Sequence, residues 1–111
     1  MNQHEFLKIF EDLVVLCEAT LLRKGSEYAK DADRLHNFKV AAALQGENTS
    51  QALGGMLAKH IVSIYDVIQS NQPVTLDYWN EKIGDAMNYL FLLKAVIIEE
   101  SSTYISTNNK G

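Results

Sequence analysis

The chain of 111 residues has one cysteine and no long apolar run, and each shortage excludes a class of protein. Cys17 has no second cysteine to pair with, so a disulfide framework is excluded and a reducing compartment is expected. The apolar runs are shorter than the roughly 20 residues that a membrane-spanning helix needs. The N-terminal segment is acidic and polar, whereas a signal peptide is basic and then apolar. We therefore expect a soluble, cytoplasmic protein.

Two signatures of nucleotide and metal sites are also missing. The stretch QGENTSQALGG lacks the glycine-lysine pair of a Walker phosphate-binding loop. The chain has no cysteine–histidine cluster, which argues against zinc. Its formal net charge of −4 does not suit a general nucleic-acid-binding protein, which needs a basic surface.

Apolar residues recur at helical spacing through most of the chain. They predict four helices, over residues 3 to about 23, 33–45, 49 to about 69 and 76 to about 100. Gly25 and Gly46 are placed to end the first two helices, and Asn48 or Thr49 is placed to cap the third. No stretch alternates apolar and polar residues, so no sheet is expected.

These helices predict an all-α fold, a compact bundle of about four helices. We expect a single helical domain at residues 1–100 and a flexible C-terminal tail at residues 101–111. Gly54 and Gly55 stand out in the third helix, because each costs roughly 1 kcal/mol relative to alanine. They indicate either a frayed helix start or the close approach of another helix or a ligand to bare backbone.

Polar residues form one stripe on the third helix and one on the fourth. The third-helix stripe is Lys59, Ser63 and Asp66, with His60 beside it, and the fourth-helix stripe is Glu81, Asp85 and Asn88, with Tyr89 beside it. Helical spacing puts each stripe on one face, so the two either face each other across a polar cleft or form solvated outer faces. Lys59 and Asp85 have mostly apolar neighbours, so we expect both to be at least partly buried. An ion pair of Lys59 with Asp85 or Asp66 is the structural alternative to a ligand site.

The segment at residues 23–39, which contains KGSEYAKDADRLHNFK, is a local basic zone. It holds five of the ten basic residues, including both arginines, on a chain of net charge −4. A small basic zone on an acidic protein suits a phosphate better than a long polyanion. Tyr28 and Phe38 could stack on a base, while His36 and Asn37 could bind its edge. Phe38 equally fits the core at the start of the second helix.

Three motifs in order, KGSEYAKDADRLHNF, GGMLAKHIVSIYD and EKIGDAMNYLFLLKA, resemble small helical phage and prophage proteins of the nucleotide modification associated domain 1 family. The chain is also distantly similar to the all-α, MazG-like nucleoside triphosphate pyrophosphatases. The resemblance covers residues 20 to 97, and its strongest match is Glu81 and Asp85 followed by Tyr89, similar to the last metal-binding helix of the pyrophosphatases. It implies a role in phage nucleotide metabolism or anti-defence, in the cytoplasm of a bacterial host.

One departure from the pyrophosphatases bears on the chemistry. Their paired-glutamate helix, E-x-x-E, helps to hold magnesium, whereas the corresponding helix here carries the third-helix stripe and His60. Asp66, Glu81 and Asp85 could hold one magnesium ion, but they are too few for two. Lys59 and His60 in place of an acidic pair would contact phosphate directly, so the pattern favours binding over hydrolysis.

Three functions remain open. The first is a nucleotide-binding protein that recognises or sequesters a phosphorylated nucleotide or a nucleotide-derived signal, with no cofactor required. Its expected ligand-binding residues are Lys24, Tyr28, Arg34, His36, Asn37, Lys59, His60, Ser63 and Asn88. The second is a magnesium-dependent nucleotide pyrophosphatase or hydrolase, with Asp66, Glu81 and Asp85 on the metal. The third is a helical interaction protein without a small ligand, whose polar stripes form ion pairs.

The first and last helices are apolar on more than one face. Off the main stripes lie Leu7, Val14, Val15 and Leu22 on the first helix and Tyr89, Phe91, Leu92 and Val96 on the last. A four-helix monomer of this size would leave part of that surface wet. We therefore expect a homo-oligomer, most simply a two-fold dimer, with the ligand cleft near the subunit boundary.

Overall fold

The computed structural model describes the backbone of residues 1–28 and 33–109 and the side chains of residues 1–23 and 33–101. The helices are α1 (Gln3–Tyr28), α2 (His36–Gln45), α3 (Thr49–Ser70) and α4 (Leu76–Asn109). The described backbone contains no strand, so the predicted all-α bundle of four helices is confirmed. None of the helices searched in the described part of the chain is long and apolar enough to cross a membrane.

Local signals set the end of α2 and the start of α3. Gly46 follows α2 in the left-handed conformation, with φ of 69°, and its N–H donates to the carbonyl oxygen of Ala43. Asn48 caps α3, because its side chain accepts from the backbone N–H of Gln51 while the Gln51 side chain accepts from the backbone N–H of Asn48. Both boundaries agree with the sequence prediction. The capped start of α3 argues against the frayed-helix interpretation of Gly54.

Other boundaries differ from the prediction. α1 continues through Gly25, because a single glycine costs only about 1 kcal/mol and a long helix can carry that cost. α2 begins three residues later than predicted, since the Asp33 carboxylate accepts the backbone N–H of Leu35 in a turn before the helix. α4 runs to Asn109 rather than ending near residue 100, and the residues from 101 to 109 contain no glycine or proline to stop it. Flexibility at residues 101–111 stays a prediction.

The core lies between the antiparallel α3–α4 pair and the start of α2. Two hydrogen bonds fix the antiparallel pairing, from the backbone N–H of Ser50 to the Glu100 carboxylate and from Lys82 Nζ to Ser63 Oγ. The buried cluster is Leu35, Leu53 and Val96, against which Phe38, Tyr89, Leu92 and Leu93 pack. α2 therefore covers one side of the α3–α4 pair. α1 packs on α4.

An ion-pair network fastens the start of α2 to α4. Lys39 Nζ lies 2.8 Å from an Asp33 carboxylate oxygen and also contacts the Glu99 carboxylate of α4. Hydrogen bonding to Lys39, followed by the bond from the Leu35 backbone, holds the pKa of Asp33 below its ordinary value. This network positions the turn that carries Arg34 and the first turn of α2.

Candidate ligand-binding cleft

A cavity of about 170 Å³ lies where the end of α1, the start of α2 and the middle of α4 meet. Its lining is Leu21, Arg34, Asn37, Phe38, Asp85, Asn88, Tyr89 and Leu92. The walls therefore combine one cation, one carboxylate, two amides and two aromatic rings. In small-molecule sites, polar groups of this kind fix the orientation of the ligand, and apolar and aromatic side chains provide most of its contact area.

A second cavity, of about 390 Å³, lies between α1 and α4. α1 supplies Leu16, Cys17, Thr20 and Arg23, and α4 supplies Asp77, Asn80, Glu81, Gly84, Asp85 and Asn88. Asp85 and Asn88 line both cavities, so the two cavities adjoin at these side chains. We call the two parts together the cleft.

Asn88 is the most unusual side chain in the cleft. It is 7% exposed, and its Oδ1 is buried without a hydrogen-bond partner. A buried acceptor left unpaired costs about 1–3 kcal/mol, because it has lost its bonds to water. Because Asn88 also lines both cavities, a donor from a bound molecule could satisfy this oxygen.

The charges of the cleft are divided between its walls. Arg23 and Arg34 come from α1 and from the turn before α2, whereas the carboxylates all come from α4. Burial raises the pKa of the Cys17 thiol, and the negative charge of Asp85 raises it further. The thiol is therefore held protonated near neutral pH and is not an activated nucleophile.

The cleft brings together part of the predicted site. Arg34, Asn37 and Asn88 line the smaller cavity, and Glu81 lines the larger one. Asp85 is half-buried, as predicted, and lines both cavities. The fourth-helix stripe thus contributes all three of its members to one cleft. The predicted residues Lys24 and Tyr28 lie outside the side chains that the structure describes.

The third-helix stripe does not face the fourth-helix stripe, and the expected burial of Lys59 was wrong. Lys59 and Asp66 are both exposed. The side of α3 that faces α4 is the one that carries His60 and Ser63. Lys59 precedes His60 by one residue, so its side chain points about 100° away from that of His60 around the helix axis. Among the described residues, neither ion pair proposed for Lys59 forms. The helices meet instead through Lys82, which donates to Ser63.

Two other predicted residues lie at the margin of the cleft. His60 stacks on Tyr89, with ring centroids 4.7 Å apart, and Tyr89 lines the smaller cavity. His60 therefore supports an aromatic wall without lining either cavity itself. His36, the first residue of α2, is exposed. It lines neither cavity, although its neighbour Asn37 does.

Sequence reasoning missed the contribution of α1. Thr20 lines the larger cavity, and Arg23, noted only as part of the basic zone, lines it too. The available signal was the three-residue spacing of Cys17, Thr20 and Arg23, which places two polar side chains on the α4-facing side of an apolar helix. Asn80 of α4 was missed in the same way.

The cleft offers a limited set of metal ligands. Within the described residues, no group of three histidine, cysteine or acidic side chains lies close enough to hold a metal ion. Glu81 and Asp85 are one helical turn apart and line the same cavity, with the amide oxygen of Asn88 nearby along the helix. Asp66 is exposed on α3 and lines neither cavity. These residues fit at most one hard cation completed by water or phosphate oxygens.

Comparisons of this chain with protein-family models, with curated proteins and with solved structures find no match. The resemblance to phage helical proteins and pyrophosphatases therefore stays a prediction. Function is therefore inferred from the geometry of the cleft.

Proposed function

We propose that the protein binds a phosphorylated nucleotide, or a signal molecule derived from one, in the cleft. The observation that carries the proposal is the convergence of Arg34, Asn37, Asn88 and two aromatic rings on one cavity. A guanidinium binds phosphate through paired N–H donors. Aromatic faces stack on a base, and carboxamides pair with its edge.

The size and polarity of the cleft agree with this class of ligand. The cavity that Arg34 and the two rings line measures about 170 Å³, and sites for ligands of nucleotide size run from roughly 300 Å³ upward. Such a ligand would therefore extend from it into the adjoining cavity of about 390 Å³. The Oδ1 atom of Asn88 suits an N–H or O–H donor of the base or the sugar. Ionised Glu81 and Asp85 only accept hydrogen bonds, so without a metal they suit ligand hydroxyl or amino groups and leave the phosphate to Arg34.

The first experiment measures binding. A panel of nucleoside mono-, di- and triphosphates and of cyclic nucleotides is tested by thermal shift and calorimetry, with and without magnesium. We expect at least one member to raise Tm without magnesium and to be recovered intact from heat-treated protein. Arg34→Ala should abolish that shift. The matched control is Lys8→Ala, which removes a cation that is exposed and paired with Asp12 on α1.

Failure of the whole panel to raise Tm would contradict the proposal and favour an interaction protein without a small ligand. Loss of binding in Lys8→Ala as well as in Arg34→Ala would show that net charge, and not the cleft, attracts the ligand. Recovery of an intact ligand would support a protein that recognises or sequesters it. Such a protein fits phage nucleotide metabolism or anti-defence.

The second candidate function is magnesium-dependent nucleotide hydrolysis, and the pair Glu81 and Asp85 favours it. Both line the larger cavity, where one magnesium ion could complete its shell with phosphate and water oxygens. Asp85→Asn should then eliminate turnover and magnesium dependence while largely preserving nucleotide affinity. Release of pyrophosphate or phosphate, followed by phosphorus NMR, selects this function. Intact nucleotides after incubation with magnesium count against it.

The proposal includes self-association, which the sequence predicts from the apolar surface of its first and last helices. The exposed side chains agree with that expectation, since Phe6, Phe10 and Leu22 on α1 and Phe91 on α4 are each at least half exposed. The mass in solution at micromolar concentration tests it.

A further inference from the structure

One side of the α3–α4 pair carries apolar side chains that are largely open to solvent. We call it the bare face, and it consists of Gly54, Ala58, Ile61, Tyr65 and Ile68 on α3 and Met87, Leu90, Lys94 and Ile97 on α4. Ile61 is 50% exposed, Tyr65 60% and Leu90 46%. Large apolar side chains left this open in a row mark an interaction surface.

Helical geometry puts both rows on the same side of the pair. His60 contacts Tyr89 and Ser63 bonds to Lys82, which fixes the inner side of each helix. Each residue advances 100° around the helix axis, so on both helices the bare-face residues lie roughly 100–150° from these inner residues. The direction of this rotation is the same on α3 and on α4. Because α3 and α4 are antiparallel, the same rotation brings both rows to one side.

The opposite side of the pair is already covered by the chain itself. Leu35 and Phe38 pack there against Leu53 and Val96, and Lys39 contacts Glu99. The α3–α4 pair therefore has the α2 core on one side and the bare face on the other. Among the described residues, no equivalent layer lies over Ile61, Tyr65 and Leu90, which stay about half exposed.

The spacing of the bare face is that of a coiled-coil seam. On α3 the positions advance by alternating steps of four and three, from Gly54 through Ile61 to Ile68. On α4 the same steps run from Met87 through Leu90 and Lys94 to Ile97. Seams of this kind pack helices about 20° from antiparallel in four-helix bundles.

We propose that a second copy of this chain covers the bare face, so that two α3–α4 pairs form a four-helix bundle across a two-fold axis. A second copy brings the same apolar seam, and an interface of this symmetry needs a surface that is complementary to itself. Lys94 alone among the bare-face residues is charged, so the face offers no charge pattern to select an acidic or basic partner. Interface centres are depleted in charge in the same way.

The surface area of the chain agrees with a subunit of a dimer. Its accessible surface is 8230 Å², about 2,000 Å² more than the roughly 6,200 Å² expected for a compact monomer of 12.5 kDa. A standard interface removes about 800 Å² from each partner, so the excess is sufficient. At Gly54, an added Cβ would meet nothing within 4 Å, so contacts inside the chain do not require glycine there. A partner helix would approach closely at that point.

This dimer leaves the cleft open. Asn88 lies two residues from Leu90, which is roughly 160° round α4, so the cleft and the bare face lie on nearly opposite sides of that helix. Each subunit then has a complete cleft of its own, in contrast to the predicted cleft at the subunit boundary. The dimer does not depend on the proposed nucleotide binding.

The mass in solution tests the proposal with charged variants. Wild-type protein at tens of micromolar should give twice the chain mass of 12.5 kDa by light scattering. Leu90→Glu and Ile61→Glu should each give the monomer mass, with helicity retained in circular dichroism because both side chains are half exposed in the subunit. The matched control Val15→Glu changes an α1 residue that is 65% exposed and should leave the dimer intact. A monomeric wild type, or a dimer broken by Val15→Glu and kept by Leu90→Glu, overturns the proposal.

Cross-linking provides a second measurement that does not depend on a disruptive change. In a Cys17→Ala background, Met87→Cys places one thiol on the bare face, and Val15→Cys places one on the control surface. A flexible bis-maleimide should join Met87→Cys subunits to a covalent dimer at least tenfold faster than Val15→Cys subunits. Equal rates, or no cross-link through Met87→Cys, would overturn the assignment of the face.

Discussion

The sulfur of Cys17 lies 3.8 Å from the carbonyl oxygen of Gly84, in the contact that joins α1 to α4 beside the cleft. Asp85 is the next residue along α4, so the thiol is buried and lies next to a negative charge. Both features oppose ionisation of the thiol, which makes Cys17 a natural probe of the cleft wall.

The reactivity of Cys17 should report on Asp85. Burial is the larger cause of the raised thiol pKa and Asp85 is the smaller one, so Asp85→Asn should lower the pKa while leaving it above the ordinary value. The pH profile of alkylation by iodoacetamide measures this shift. Glu18→Gln is the control, since that neighbouring carboxylate is exposed and should leave the profile unchanged. A profile unaffected by Asp85→Asn would show that the two side chains are not neighbours in solution.

Asn88 is expected to contribute to ligand binding and not to the stability of the fold. Asn88→Leu removes the unpaired buried Oδ1, so unfolding in urea should show a free energy of unfolding that is unchanged or raised by up to about 2 kcal/mol. Nucleotide binding should be lost in the same variant. Asn88→Asp is the matched control of nearly equal shape, and it should destabilise the protein by about 1–3 kcal/mol because it buries a charge next to Asp85. A large loss of stability in Asn88→Leu would contradict this assignment.

The ion pair of Asp33 and Lys39 should give a plateau of stability between acid and strongly alkaline pH. The pKa of Asp33 is lowered in the fold, so its contribution is present above the ordinary aspartate value near 3.9 and is lost as pH falls through the lower folded value. The pKa of Lys39 is raised by Asp33 and then by Glu99, so its contribution is lost as pH rises above the ordinary lysine value near 10.4 and through the folded one.

Thermal unfolding from pH 2 to 11 measures this plateau. Lys39→Met should lower Tm within it and flatten the acid limb, because the Asp33 pKa then returns toward its ordinary value. Lys8→Met, which breaks the exposed pair with Asp12 inside α1, should have a smaller effect on Tm. Equal effects of the two variants would contradict a role of Lys39 in fastening α2 to α4.

Lys59 and Lys82 should differ in their effect on stability. Lys59 is exposed, so Lys59→Ala should change the free energy of unfolding by no more than about 0.5 kcal/mol. Lys82→Ala removes a bond to Ser63 and a cation 5.5 Å from the ring centre of Tyr78, and it should cost about 1 kcal/mol. Urea unfolding compares the two. A cost above about 3 kcal/mol for Lys59→Ala would contradict the exposed position of Lys59 and support the buried ion pair that the sequence suggested.

The sequence alone determined that the chain forms four helices, and it determined those helix ends that are set by hydrogen bonds between residues close in the chain. Gly46 stops α2 because the backbone there needs positive φ, and Asn48 starts α3 because its side chain reaches the Gln51 N–H. Both signals act within four residues, so no tertiary contact is needed to predict them. The ends near Gly25 and residue 100 were placed wrongly, because weak local preferences there do not stop a long helix.

The sequence also determined which residues share a helix face, and the tertiary structure decided what each face meets. Spacing alone put Glu81, Asp85 and Asn88 in one row. It could not show that this row faces Cys17 and Thr20 of α1, because periodicity fixes angles within a helix and leaves its rotation against its neighbours free. That rotation is set by packing, in which His60 and Ser63 turn toward α4 and leave Lys59 in solvent. For the same reason, the seam from Ile61 to Leu90 becomes a surface only once α3 and α4 lie side by side.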